Sequence, residues 1–145
     1  MDRVLTPELR ELYELSTPNG LRAVRILPGT NGKMAVIGRG QGDVVEPFAQ
    51  LLREERYTVE TIKNVPGNRK LWREFEAFVE ERRSILGESY KLTTEEIMGT
   101  RFYQLDEAWT VGILEQGHTI IDMGNPLKRS QSIFLDMEYQ HIFGR

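Results

Sequence analysis

Lys33-Met34-Ala35-Val36-Ile37-Gly38-Arg39-Gly40-Gln41-Gly42-Asp43 is the stretch that decides the fold. Its first five residues form a short, mostly apolar run, of the kind that suits a strand buried on both faces in a parallel sheet. The glycines that follow allow a tight corner into a helix. Asp43 stands where an N-cap is needed, with Glu46 three residues on at capping-box spacing. Pro47 then belongs in the first helical turn, because a later proline would break the helix. Val44, Val45, Phe48, Leu51 and Leu52 make the stripe that this helix buries. Tyr57 to Ile62 reads as the next strand. Strand, glycine corner, helix and strand make a βαβ unit, whose long crossover favours parallel pairing.

Working outward, residues 1–32 read as a lead-in, with residues 21–27 offering an extra edge strand. Residues 33–145 read as one α/β domain. After a loop at 65–68, Leu71, Trp72, Phe75, Phe78, Val79, Arg82, Ile85 and Leu86 keep helical spacing, and the aromatics among them are expected in the core. Thr93 and Glu96 form a capping box for a further helix, expected to run to Gly117. Its stripe is read as Ile97, Arg101, Leu105, Ala108, Trp109, Gly112 and Ile113. His118 to Met123 reads as the third core strand, and Ser130 or Ser132 caps a last helix through about Phe143. Strands alternating with helices predict a Rossmann-like three-layer domain with a small, mostly parallel sheet. The predicted order is 2-1-3, with residues 33–37 central.

The bulk numbers agree with such a domain. The chain has 145 residues, 39% of them hydrophobic and 28% charged, which suits one globular unit with a real core. It has no cysteine, so disulfides and thiolate metal sites are excluded. Its formal net charge of -3 argues mildly against a protein that grips nucleic acid through phosphate neutralisation alone. No apolar stretch approaches the length of a membrane span, so no membrane partner is expected. Met1-Asp2-Arg3 opens without the apolar region of a signal peptide.

Three groups of residues could carry chemistry. Gly38, Gly40 and Gly42, with Arg39 between them, leave a strand and open a helix, the setting of a phosphate cradle. Glu60 stands about twenty residues on, where dinucleotide folds place a ribose-binding acid. Against this, Asp43 stands where the third glycine of G-x-G-x-x-G is required, and the plain reading is a tight corner. Asp122 and Asn125 end the third strand, beside Gly38 if the order is 2-1-3. They could hold a ribose, a base edge or a metal-bound water, or they could simply terminate the strand. Glu138 lies on the final helix and could return toward Asp122 as a general base. With His141 it forms an i, i+3 pair, which as a single copy reads as a partly solvated helix face. No metal ligand set is assigned, and these residues name no cofactor.

Ala35-Val36-Ile37-Gly38-Arg39, Trp109, Gly117, Ile121-Asp122-Met123-Gly124-Asn125-Pro126, Ser132, Phe134, Asp136-Met137-Glu138 and Phe143-Gly144 also form a family pattern. Together they resemble the C-terminal domains of Rhs/YD-repeat polymorphic toxin proteins, in which a long secreted shell carries a variable toxic tip. The resemblance covers about residues 33–144, and Leu135 departs from it where the pattern is more often aromatic. It implies a toxin secreted as part of a larger protein, acting in the target-cell cytoplasm and matched by a cognate immunity protein. It does not name a reaction.

Three functions follow as expectations. The leading one is an effector that binds and hydrolyses a nucleotide such as NAD, with Arg39, Asp122 and Glu138 around one cleft and Gly38, Gly40, Gly42 and Asn125 holding the ligand. The second is a nuclease using Asp122 and Glu138 around a divalent metal. The third is a non-catalytic nucleotide- or partner-binding module.

Overall fold

In the computed structural model, residues 25–38, 41–124 and 132–144 are described. They form a mixed α/β unit with a four-stranded sheet and five α-helices. In chain order these are β1 (Arg25–Leu27), β2 (Met34–Ile37), α1 (Glu46–Glu54), β3 (Val59–Glu60), α2 (Asn68–Leu86), α3 (Thr94–Met98), α4 (Arg101–Gln116), β4 (Thr119–Asp122) and α5 (Ile133–Phe143).

The sheet order is β1-β4-β2-β3. β2 is central to the three core strands and parallel to both β3 and β4, with Ile37 opposite Asp122. That is the 2-1-3 order expected for those three. The sheet as a whole is mixed, not mostly parallel, because β1 pairs antiparallel with β4, Ile26 opposite Ile121. The connection explains the reversal. A parallel return needs a crossover of about a dozen residues or more, and only residues 28–33 separate β1 from β2. The sheet therefore begins inside the 1–32 segment.

Alternation along the strands sends side chains to two cores. Met34, Val36, Val59 and Ile121 pack with Phe48, Ala49 and Leu52 of α1 on one face. Ala35, Ile37 and Ile120 pack with Ile113 of α4 and Ile142 of α5 on the other. β2 and β4 are buried along their whole length.

Several elements differ from the sequence reading. A π-helical turn, Gln41–Val45, runs directly into α1, so the helical path starts earlier than a cap at Asp43 implies; the Asp43 side chain lies outside the described residues. Glu46 accepts a hydrogen bond from the Thr61 hydroxyl and faces Arg53 at 3.5 Å. β3 is only two residues long. Thr61 ends it by capping a short 3-10 turn, with its own N–H donated to Asn64 Oδ1 at 2.8 Å. The helix expected from Thr93 to Gly117 is two helices. Thr93 and Glu96 do form the capping box of α3. Gly99 and Thr100 then interrupt, and Thr100 starts α4 by accepting from the N–H of Tyr103. Gly117 closes α4 in the left-handed conformation, and Ser132 caps α5.

The α2 aromatics are a further correction. No residue of α2 is fully buried. Trp72 is 40% exposed, and with Phe75 it packs on Phe102 of α4 and Phe134 of α5 in a separate aromatic cluster. α2 lies on helices rather than on the sheet. Among the described residues, no helix is long and apolar enough to cross a membrane.

Candidate functional site

At the carboxyl ends of β2 and β4 the two strands come very close. Gly38 has φ +148°, and a Cβ there would lie 2.9 Å from the Met123 Cβ. Only glycine fits this left-handed, crowded position. The corner opens toward α2, α4 and α5. Between them lies a cavity of 330 Å³, walled by Gly38, Gly42, Trp72, Phe102, Asp106 and Glu138 among others.

Asp106 and Glu138 are the chemical centre of that wall. Asp106 comes from the buried face of α4, which runs Phe102, Tyr103, Asp106, Thr110 and Ile113. Glu138 comes from α5, beside Leu135 and Ile142. The two residues are 3% and 6% exposed. Their carboxyls meet, and each perturbs the other. Burial, reinforced by the Glu107 charge and partly offset by the Glu138 hydrogen bond, pushes Asp106 up to about 6. Burial and then Asp106 raise Glu138 well above the carboxylate range, with a further contribution from Asp122. Oδ1 of Asp106 has no hydrogen-bond partner among the described residues. No described cation offsets either buried carboxyl, so ionising both at once is disfavoured in this low-dielectric site.

Asp122 has a different setting. Its Oδ2 takes Arg25 Nε and Nη2, each at 3.1 Å. Its Oδ1 takes the Gly124 N–H and the Tyr139 hydroxyl, each at 2.8 Å. Burial raises its pKa, and these partners oppose the rise. It is not part of the cavity wall, though its charge reaches Glu138. Gly38, Gly42 and Glu138, three of the residues singled out in the sequence, line the cavity. Arg39, Gly40 and Asn125 lie outside the described residues, and of the three residues expected to share one cleft, Arg39, Asp122 and Glu138, only Glu138 is described on this cavity.

The remaining sequence candidates go elsewhere. Glu60 pairs with His118 Nε2 at 2.9 Å and accepts from Trp109 Nε1 at 3.3 Å, near the amino ends of β2 and β4. His141 does not pair with Glu138. It reaches Glu107 at 2.8 Å, while Glu138 turns to Asp106. Consecutive acids of α4 thus receive the i, i+3 residues of α5.

Asp106 is the site residue that sequence reasoning missed. Its signal was an acid inside the series Phe102, Asp106, Thr110, Ile113, spaced for one helix face. Among the described residues, no three His, Cys, Asp or Glu side chains come together in a way that could hold a metal ion. Comparison of the chain with family models, curated proteins and solved structures gives no match.

Proposed function

We propose that the chain is a polymorphic-toxin effector domain that binds a nucleotide such as NAD and hydrolyses it in the target cell. The observation that carries the hydrolase reading is the buried Asp106–Glu138 pair on an aromatic-walled cavity. A pair that shares one proton supplies an acid and a base at the same place. The base form can take a proton from an attacking water, and the acid form can give one to the departing group. Trp72, Phe102 and Phe134 offer faces on which a nucleobase can stack.

Glu138 is the proposed catalytic acid/base and Asp106 its partner. Asp122 is a positioning residue that acts through its charge on Glu138 and through the strand end that it ties down. The β2–α1–β3 unit, with its glycine corner at the cavity, supports a Rossmann-like reading of this half of the sheet. The resemblance to Rhs/YD-repeat toxins supports the toxin role, secretion within a larger protein, and a cognate immunity protein.

The test is expression in bacteria without a protective partner, followed by nucleotide and nucleic-acid profiling of the arrested cells. Growth arrest with loss of a nucleotide pool supports the reading. Normal growth at high soluble expression removes it. Arrest with intact nucleotides and cleaved nucleic acid transfers it to the nuclease class.

A further inference from the structure

Beside the cavity lies a basic surface that the hydrolase reading does not use. Residues 63–73 carry Lys63, Arg69, Lys70 and Arg73 and no acid at all, in a chain whose formal net charge is -3. All four side chains are exposed, and none forms an ion pair with a described residue. They line an open depression. Lys63 and Asn68 belong to both its wall and the cavity wall, so the two spaces adjoin. The acid on this depression, Glu74, is engaged by Arg101 at 3.2 Å, so the described lining has four cations against one acid that already has a partner. Arg69, Lys70 and Arg73 share one side of the first turns of α2, a 19-residue helix whose amino end adds its own positive field.

We propose that this surface docks the diphosphate of a nucleotide whose nucleoside occupies the cavity. The inference rests on the nucleotide reading above and adds where the phosphates go. Cations are expected to take phosphate oxygens with charge-assisted hydrogen bonds, with arginine forking onto two of them. A cavity of 330 Å³ is at the small end for a ligand site. It suits a nucleoside and leaves the phosphates outside, at Lys63. An acid pair that shares a proton carries less negative charge than two carboxylates would, so an anion can approach.

The test is calorimetric titration of the full chain with ADP, inorganic pyrophosphate and adenosine, in the wild type and in an Arg69→Gln/Arg73→Gln double variant. Both substituted residues are exposed, so folding should be retained; circular dichroism checks this. ADP should bind more tightly than adenosine. The double variant should weaken ADP by on the order of 100-fold, about tenfold per cation, abolish pyrophosphate binding and leave adenosine unchanged. If pyrophosphate binds and is lost in the variant while adenosine never binds, the docking surface stands and the nucleoside cavity falls. If adenosine binds while ADP gains nothing and pyrophosphate is silent, the cavity reading stands and this one is overturned. Tight binding of a short single-stranded RNA that ADP cannot displace overturns it as well, in favour of nucleic acid.

Discussion

The sheet carries a polar cluster near each end, and the two are built on opposite principles. Near the amino ends of β2 and β4, His118, Glu60, Trp109 and Asn31 satisfy one another. Asn31 Oδ1 accepts the Lys33 N–H at 2.8 Å, which turns its amide nitrogen to His118 Nδ1 at 3.0 Å. Nδ1 must then accept, leaving Nε2–H to donate to Glu60. Burial alone would raise Glu60, but the His118 and Trp109 hydrogen bonds hold it below its ordinary value. Gly29 seals this end, since a Cβ there would lie 2.1 Å from the Gly117 carbonyl oxygen. Near the carboxyl ends, Asp106 and Glu138 face each other with Asp122 adding its charge, and one acid oxygen has no hydrogen-bond partner among the described residues. Complete satisfaction marks a cluster that holds the fold. Incomplete satisfaction among the described residues, beside a cavity, is what the proposed ligand site rests on.

The largest expected effect breaks function alone. Glu138→Gln should lower hydrolysis by on the order of 10²- to 10⁴-fold, the usual worth of a positioned acid or base. The variant should stay folded, because a neutral amide replaces a carboxyl that burial and Asp106 push toward its neutral form. Toxicity assayed beside circular dichroism checks both halves. A folded, fully toxic variant would show that the wrong carboxyl had been chosen.

The amino-end cluster should respond in the reverse way. His118 is buried, and its removal strands Asn31 and Glu60 and leaves a hole. His118→Ala should cost about 3 kcal/mol of stability. Activity per folded molecule should be unchanged, measured by urea unfolding and by hydrolysis at a temperature where the variant is still native.

Next is the pH dependence of stability. The folded-state pKa of Asp106 is raised, to about 6. Between its ordinary value and that point the native state binds more protons than the unfolded chain, so stability falls as pH rises through this window. At neutral pH the deficit from this residue is about 2–3 kcal/mol. Asp106→Asn should recover that amount near pH 7, flatten the unfolding curve between about pH 4 and 6, and reduce activity. No gain in stability near pH 7 would mean that burial does not raise the Asp106 pKa.

Much of the frame was legible in the sequence. Apolar runs at 33–37 and 118–123 around a glycine corner placed β2 and β4, and the Thr93–Glu96 capping box was readable from spacing. Failures came where local polar chemistry interrupted a periodic pattern. Thr61 cut β3 short by capping the next turn, and Gly99–Thr100 restarted a helix that had been read as continuous. That restart matters most, because the stripe counted from Ile97 placed Arg101 and Ala108 inside, where both are exposed. Counted from Phe102, Asp106 falls on the buried face. The α2 aromatics were assigned to the core because helical spacing shows that a stripe is covered, not what covers it.

The smallest effect tests where Asp122 belongs. This acid lies on the sheet's carboxyl edge yet is satisfied like the amino-end cluster. Arg25 donates to it while lying 4.8 Å from the Tyr139 ring centroid and 3.8 Å from that of Phe143. The contact therefore ties β1 at the sheet's edge to α5. Arg25 is half exposed, so solvent screens the ion pair, and the ring contacts add a similar modest amount. Arg25→Gln should cost about 1 kcal/mol and should raise the Asp122 pKa further, since a cation that opposes burial is gone. Because the folded-state pKa moves up, the added loss of stability should be smallest at low pH and grow as pH rises toward neutrality. Hydrogen exchange of the β1 amides should quicken while those of β2 stay protected. Hydrolysis should change little, because Asp122 reaches the cavity only through its charge on Glu138. A loss of activity as large as that of Glu138→Gln, in a variant still folded, would place Asp122 in the chemistry itself and merge the two kinds of cluster into one.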